Sequence, residues 1–304
     1  MPAHDSGDEM LWTVFTLMAA AAQTARNAMQ RELTATLGTV GATHVRFLFG
    51  FPFALLFLAG VLMVTGTALP RAPSVFWPWV LAGAFTQIAA TATMLSVMGQ
   101  RSFVVAYAYI KTEPVHVALF GLIFLGDTIT PLAGIAILLA TAGVIVISLK
   151  SGAGSEGNAR STAVGLFSGA LFGLSAIGYR GAILSLKLPD FVVAATFTVT
   201  VGLVIQAAVL SIYLILQDPK VLHAIVRAWR PSLFAGFMGA FASEFWFLAF
   251  AITSAANVRT LALVEVLFAQ GVTHFLFKQP TSARESAGIV MVVIGVALLV
   301  WAYR

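Results

Sequence analysis

One stretch of this sequence concentrates ionisable and aromatic side chains inside an apolar run: Tyr107-Ala108-Tyr109-Ile110-Lys111-Thr112-Glu113-Pro114-Val115-His116. Helical spacing puts Tyr109, Glu113 and His116 on one face at i, i+4 and i+7, and Tyr107 with Lys111 on another. Lys111 and Glu113 are two positions apart, which on a regular helix turns them to different sides. Pro114 disturbs that regularity, because it has no N–H to give to the carbonyl one turn back and its ring bends the helix. A lysine, a carboxylate, an imidazole and two phenols at one depth can hold a small zwitterion by both of its charges. The same groups can also pair between helices as a structural device.

A second group, Ser243-Glu244-Phe245-Trp246, offers another carboxylate and an indole face on which an ammonium can sit. Glu244 and Trp246 are again two apart, so both reach one cavity only at a helix edge or irregularity. Arg46 can take a substrate carboxylate or extend to a membrane surface. These residues form the expected substrate-binding set. Glu113 and Glu265 are in addition candidate proton carriers, since a carboxylate removed from water is costly to keep charged and can cycle between its two forms. Glu265 can alternatively pair with Arg259 or Lys111. Arg26 and Arg180 lie late in apolar runs and read as interfacial. Gln23, Asn27, Gln87 and Gln206 suit a polar path or helix-to-helix hydrogen bonds equally well.

Enzyme chemistry finds little support. Gly173-Leu174-Ser175-Ala176 lacks the glycine expected after a serine nucleophile, and no H-E-x-x-H occurs. The histidines do not cluster, and cysteine is absent, so neither a disulfide framework nor a thiolate metal site is available. No catalytic residue, metal or cofactor is expected. Nor does a basic patch interleaved with aromatics suggest nucleic acid.

These side chains must be positioned by elements that water does not surround. Of the 304 residues, 60% are hydrophobic and 10% charged, and the mean hydropathy is +0.95. A soluble domain carries roughly 25% charged residues, so most of this surface must face lipid. The net charge of +5 fits Lys and Arg at membrane ends facing anionic lipid. Apolar runs long enough to span are expected at about 11–31, 40–64, 75–98, 102–124, 130–149, 163–185, 190–216, 231–253, 256–277 and 284–302. Turn chemistry separates them, as at Pro70-Arg71-Ala72-Pro73, Gly126-Asp127 and Gln217-Asp218-Pro219. Their period is not the two-residue alternation of a barrel strand. Trp12, Trp77, Trp79, Trp229 and Trp301 fall near run ends, as interfacial rings do, while Trp246 is mid-run. The polar N-terminus, residues 1–10, lacks a basic leader region, so the first run is expected to be retained.

The fold class expected is therefore an all-α polytopic membrane protein of ten transmembrane helices in two inverted five-helix repeats. A Gly- and Ser-rich linker, 150–162, separates repeats at 11–149 and 163–304. Pro78 leads to Gly83 as Pro231 leads to Gly236. Glu113 precedes Gly143 as Glu265 precedes Gly295, and Arg26 matches Arg180. An odd number of spans per copy sets the copies in opposite orientations. The distribution of Lys and Arg between the two sides favours both termini outside.

Each half ends in a helix, a short turn and a Gly-rich helix: Leu125-Gly126-Asp127-Thr128 before Gly134 and Gly143, and Lys278-Gln279-Pro280 before Gly288 and Gly295. With ten spans in two halves, this resembles the drug/metabolite transporter superfamily, EamA type, and within it the bacterial amino-acid exporters of the YddG kind. That family usually carries Gly-Glu at the turn; here Asp127 replaces the Glu, and Lys278-Gln279 departs further. The resemblance implies an exporter or exchanger of amino acids or similar metabolites, working by alternating access as a monomer in a bacterial inner membrane. Its partners would be the small-molecule substrate and the bilayer. A channel or sensor, or an intramembrane enzyme, is the alternative.

Overall fold

A computed structural model describes residues 6–97, 108–148, 159–267 and 282–302. Tyr107, the second short turn at 278–280 and most of the linker lie outside the described residues.

The regular structure of the described residues is all helical: α1 Ser6–Leu48, α2 Phe51–Thr65, α3 Phe76–Val97, α4 Glu113–Phe120 running into a π-helical turn Gly121–Leu125, α5 Pro131–Ser148, α6 Ala159–Ser185, α7 Phe191–Gln217, the short α8 Pro219–Arg227, α9 Trp229–Ile252, α10 Ala255–Leu261 with a 3₁₀ turn Ala262–Val264, and α11 Ala283–Ala302. Helices satisfy every interior backbone group within one segment, which lipid demands. The ends are closed locally. Asp190 accepts from the Val192 and Val193 amides at 2.8 and 3.3 Å to cap α7, and Ser254 caps α10 through the Asn257 amide at 3.3 Å. Gly66 and Gly126, at φ 65° and 68°, end α2 and the π turn in the left-handed region that glycine enters without penalty.

α1 is not one rod. Gly38 leaves helical geometry at φ 68° and ψ 177°. Gln30 donates to the Ala42 carbonyl at 3.0 Å, twelve residues on. A straight helix would separate those residues by roughly 18 Å, so the chain doubles back at Gly38. The arms, 6–37 and 39–48, match the expected boundary between the first two spans.

The outer surface is as apolar as the buried core, and several charged side chains lie inside. Val64 is 89% exposed and Leu216 74%, whereas Arg26 and Arg46 are each 3% exposed. Exposed leucines and isoleucines along α2, α4 and α7 form the kind of apolar surface that lipid covers. Among the described residues, eight helical segments are long and apolar enough to cross a membrane. The expected spans at 11–31 and 256–277 are not among them. The first carries Gln23, Arg26, Asn27 and Gln30, and much of the second lies beyond the described residues.

The most extensive contacts run across the two halves: α1 packs on α9, α3 on α6, and the last described helices, α5 and α11, on each other. Small residues permit this. A Cβ on Gly178 would lie 2.6 Å from the Gly83 nitrogen, and one on Gly143 would lie 2.7 Å from the Gly288 carbonyl oxygen. We expect Gly143→Val to force α5 and α11 apart, destabilising the protein by at least about 1–3 kcal/mol. A thermal-denaturation midpoint equal to wild type in detergent would contradict this contact.

Candidate functional site

Where α1, α3, α4, α6, α9 and α10 converge, polar side chains surround a narrow cavity of about 40 Å³. Both arms of α1 contribute: Gln23, Arg26 and Asn27 from the first, Arg46 from the second. The hairpin at Gly38 brings these together. Arg26 and Arg46 both pass over Gly239 of α9, within 3.4 Å of where a Cβ would stand. Glycine at that point makes room for two guanidinium stems.

Opposite them the chain reaches Lys111 and Glu113 through a tight turn. The Lys111 and Thr112 amides bond back to Ala108 and Tyr109 at 3.2 and 3.1 Å, and the Val115 amide to Thr112 at 3.0 Å. This is the i to i−3 pattern, and α4 starts afresh with Pro114 in its first turn. The bend expected from Pro114 is present, and it lets Lys111 and Glu113 line one cavity although two residues apart.

The charges cross between the 111–113 segment at the start of α4 and the 259–265 segment of α10 and the residues that follow it. Lys111 forms an ion pair with Glu265; of the two partners the sequence offers Glu265, Arg259 and Lys111, it is the lysine. Glu113 Oε1 lies 3.0 Å from Arg259 Nε, yet neither atom completes a hydrogen bond, so the contact is electrostatic rather than aligned. Arg259 lies over the Trp246 ring at 4.5 Å from its centroid, which fixes the indole inside the protein at 3% exposure rather than against lipid. The Trp246 Nε1–H donates to Gln23 Oε1 at 3.2 Å. Gln87 Oε1 accepts from Gln206 Nε2 at 2.8 Å and from the Tyr179 hydroxyl at 3.3 Å, which ties the α3 wall to α6 and α7.

Of the residues singled out in the sequence, Arg46, Lys111, Glu113 and Trp246 meet at this cavity. Glu244 does not. It hydrogen-bonds Thr196 of α7, because α9 is regular there and residues two apart diverge by about 200°. His116 turns to its own helix, with Nδ1 3.1 Å from the Thr112 carbonyl oxygen and its ring 6.2 Å from Phe120. Tyr109 is half-buried on the turn whose carbonyls abut Gly169. Tyr107 lies outside the described residues.

Two sequence readings need correction. Arg26 and Arg180 were expected at the interface. Arg26 instead lines the cavity. Arg180 donates to the Phe250 and Thr253 carbonyls at the C-terminus of α9 and lies 3.6 Å from Asp127. Free carbonyls at a helix end attract a cation, and this one joins α6 to α9 and to the Gly126-Asp127 turn. The cavity's Arg259 was visible in the sequence as an ionisable residue within an apolar run, but its spacing alone did not connect it to Glu113. Among the described residues, no group of three or more metal-ligating side chains gathers.

Comparison with known proteins places this geometry in context. The EamA-like transporter family matches the chain twice, over residues 10–149 and 163–301. A solved crystal structure aligns over 99% of this chain and 98% of its own length at 14% identity, with a TM-score of 0.70. At that identity the likeness is one of fold. No curated protein matches the chain by sequence.

Proposed function

From the premise that the chain belongs to the EamA-like transporter family and carries its domain as two repeats, we propose that it is a carrier of amino acids or similar small metabolites that works by alternating access. The carrying observation is the cavity between the repeats, lined by Lys111 and Glu113 from one and by Trp246 and Arg259 from the other. Intramembrane charges are costly and usually serve a pathway or a partner. With about 40 Å³ the cavity accommodates water-sized species, since one water needs roughly 10–15 Å³ of such space. A metabolite therefore enters only when the helices part. The ion pairs Lys111–Glu265 and Glu113–Arg259 are the contacts that such a movement would break and remake.

In this reading the chain crosses a bacterial inner membrane ten times, as inverted five-helix halves at 11–149 and 163–304 joined by 150–162. Rocking of one half against the other exposes the cavity to each side in turn. The exchange of contacts between halves, α1 on α9 and α3 on α6, supports a two-fold relation. Glu113 and Glu265 are the groups proposed to couple transport to protons.

Uptake by the purified protein in liposomes, with a panel of radiolabelled amino acids and an imposed proton gradient, tests the proposal. We expect saturable uptake that a subset of the panel competes. Flux that rises linearly with concentration and shows no competition would instead identify a channel.

A further inference from the structure

The cavity is unevenly charged. Arg26, Arg46, Lys111 and Arg259 line it, and the carboxylates that face these cations among the described residues are Glu113 and Glu265. Glu265 is taken by Lys111 and Glu113 by Arg259. Arg46 is different. It is 3% exposed, it makes no ion pair or hydrogen bond among the described residues, and its Nε–H is buried without an acceptor. Its guanidinium lies 5.1 Å from the centroid of the Phe47 ring, within electrostatic range of Arg259. Burying a guanidinium beside other cations is costly unless an acceptor arrives.

The neutral polar groups lean the same way. Gln23 has its carbonyl oxygen occupied by the Trp246 indole, Asn27 by the Arg26 guanidinium at 2.8 Å, and Gln87 by Gln206 and Tyr179. Each amide oxygen in the lining already accepts at least one bond from the protein, and its NH₂ group can donate to an occupant. A cavity lined by four cations and three amides, with each of its two carboxylates facing one of those cations, favours an acceptor-rich group.

We infer that the cavity recognises an oxyanion, a carboxylate or phosphoryl group on a substrate of net negative charge, held by Arg46 with Arg26 beside it and the amides of Gln23, Asn27 and Gln87 around it. This rests on the carrier reading and narrows it, and an acidic amino acid satisfies both. Planar guanidinium forks match carboxylate and phosphoryl geometry, which a lysine ammonium does not reproduce.

The test uses the purified full chain in detergent and in liposomes at matched ionic strength. The probes are glutamate, succinate and glycerol phosphate, with alanine and lysine as zwitterionic and cationic counterparts. Ligand-induced rises in melting temperature report binding, and counterflow reports transport. We expect one or more of the anions to stabilise the wild type more than alanine or lysine does. Arg46→Gln should weaken that apparent affinity by about tenfold or more, with Arg46→Lys intermediate, as for loss of a charged hydrogen-bond donor. Arg71→Gln, at an exposed cation, should leave it unchanged. If glutamate separates from glycerol phosphate, the source of the oxyanion is decided. Equal stabilisation by alanine or lysine, no response to any of the anions, or unchanged anion affinity in Arg46→Gln overturns the inference, whatever the transport result. Anion stabilisation that depends on Arg46, without any counterflow, upholds the site and removes the carrier reading instead.

Discussion

Glu113→Gln is expected to abolish uptake while the protein still inserts into the membrane. The carboxylate faces Arg259, which in turn covers Trp246 and lies within range of Arg46. Removing one partner of a buried ion pair leaves the other uncompensated, at a cost of about 3–5 kcal/mol. The loss falls on a side chain that forms one wall of the cavity, so Arg259 would be free to swing into the space a substrate needs. Glutamine preserves shape while removing the charge and replacing one acceptor oxygen with a donor, which separates an electrostatic role from packing. Liposome uptake by this variant at the wild-type rate would remove Glu113 from the mechanism and with it the proposed proton coupling there. Because its contact with Arg259 is not an aligned hydrogen bond, the pair is suited to opening during a cycle.

Lys111→Met should be the most destabilising change at the site, because it strands Glu265, which is 6% exposed, without its cation. The expected cost is again about 3–5 kcal/mol. The double variant Lys111→Met with Glu265→Gln removes both charges and should recover most of that stability, with a coupling energy of about 2–3 kcal/mol from the four melting curves. Additive effects would mean that the two groups do not sense each other in the folded protein. Recovery of stability without recovery of transport would assign the pair to the working cycle rather than to the fold. This contrast also separates the two ion pairs: Lys111 with Glu265 is the more buried, whereas Glu113 with Arg259 borders the open space.

Much of the architecture is written locally. Hydropathy is summed over about twenty adjacent residues, so most of the spans and the turn at Gly126-Asp127 follow from composition along the chain. The bend at Pro114 also follows, since the missing N–H acts within one turn. The double match of the EamA-like family at 10–149 and 163–301 accords with the duplication visible in Pro78 to Gly83 and Pro231 to Gly236. The cluster at Lys111 and Glu113 was marked by the cost of charge in lipid, a property of single residues.

Which way each helix faces was decided only by tertiary structure. In water, an apolar stripe identifies the buried side of a helix. In a membrane the lipid side is as apolar as the core, and that signal fades. Glu244 and Trp246 therefore looked equivalent in the sequence, yet α9 turns Trp246 to the cavity and Glu244 to Thr196. Arg26 looked interfacial from its place near a run end, but the reversal at Gly38 and the absence of a side chain at Gly239 draw it inward beside Arg46. Individual residue types disclosed that a polar site exists within the bilayer; the pairing of distant helices determined which of the described cations and carboxylates meet there.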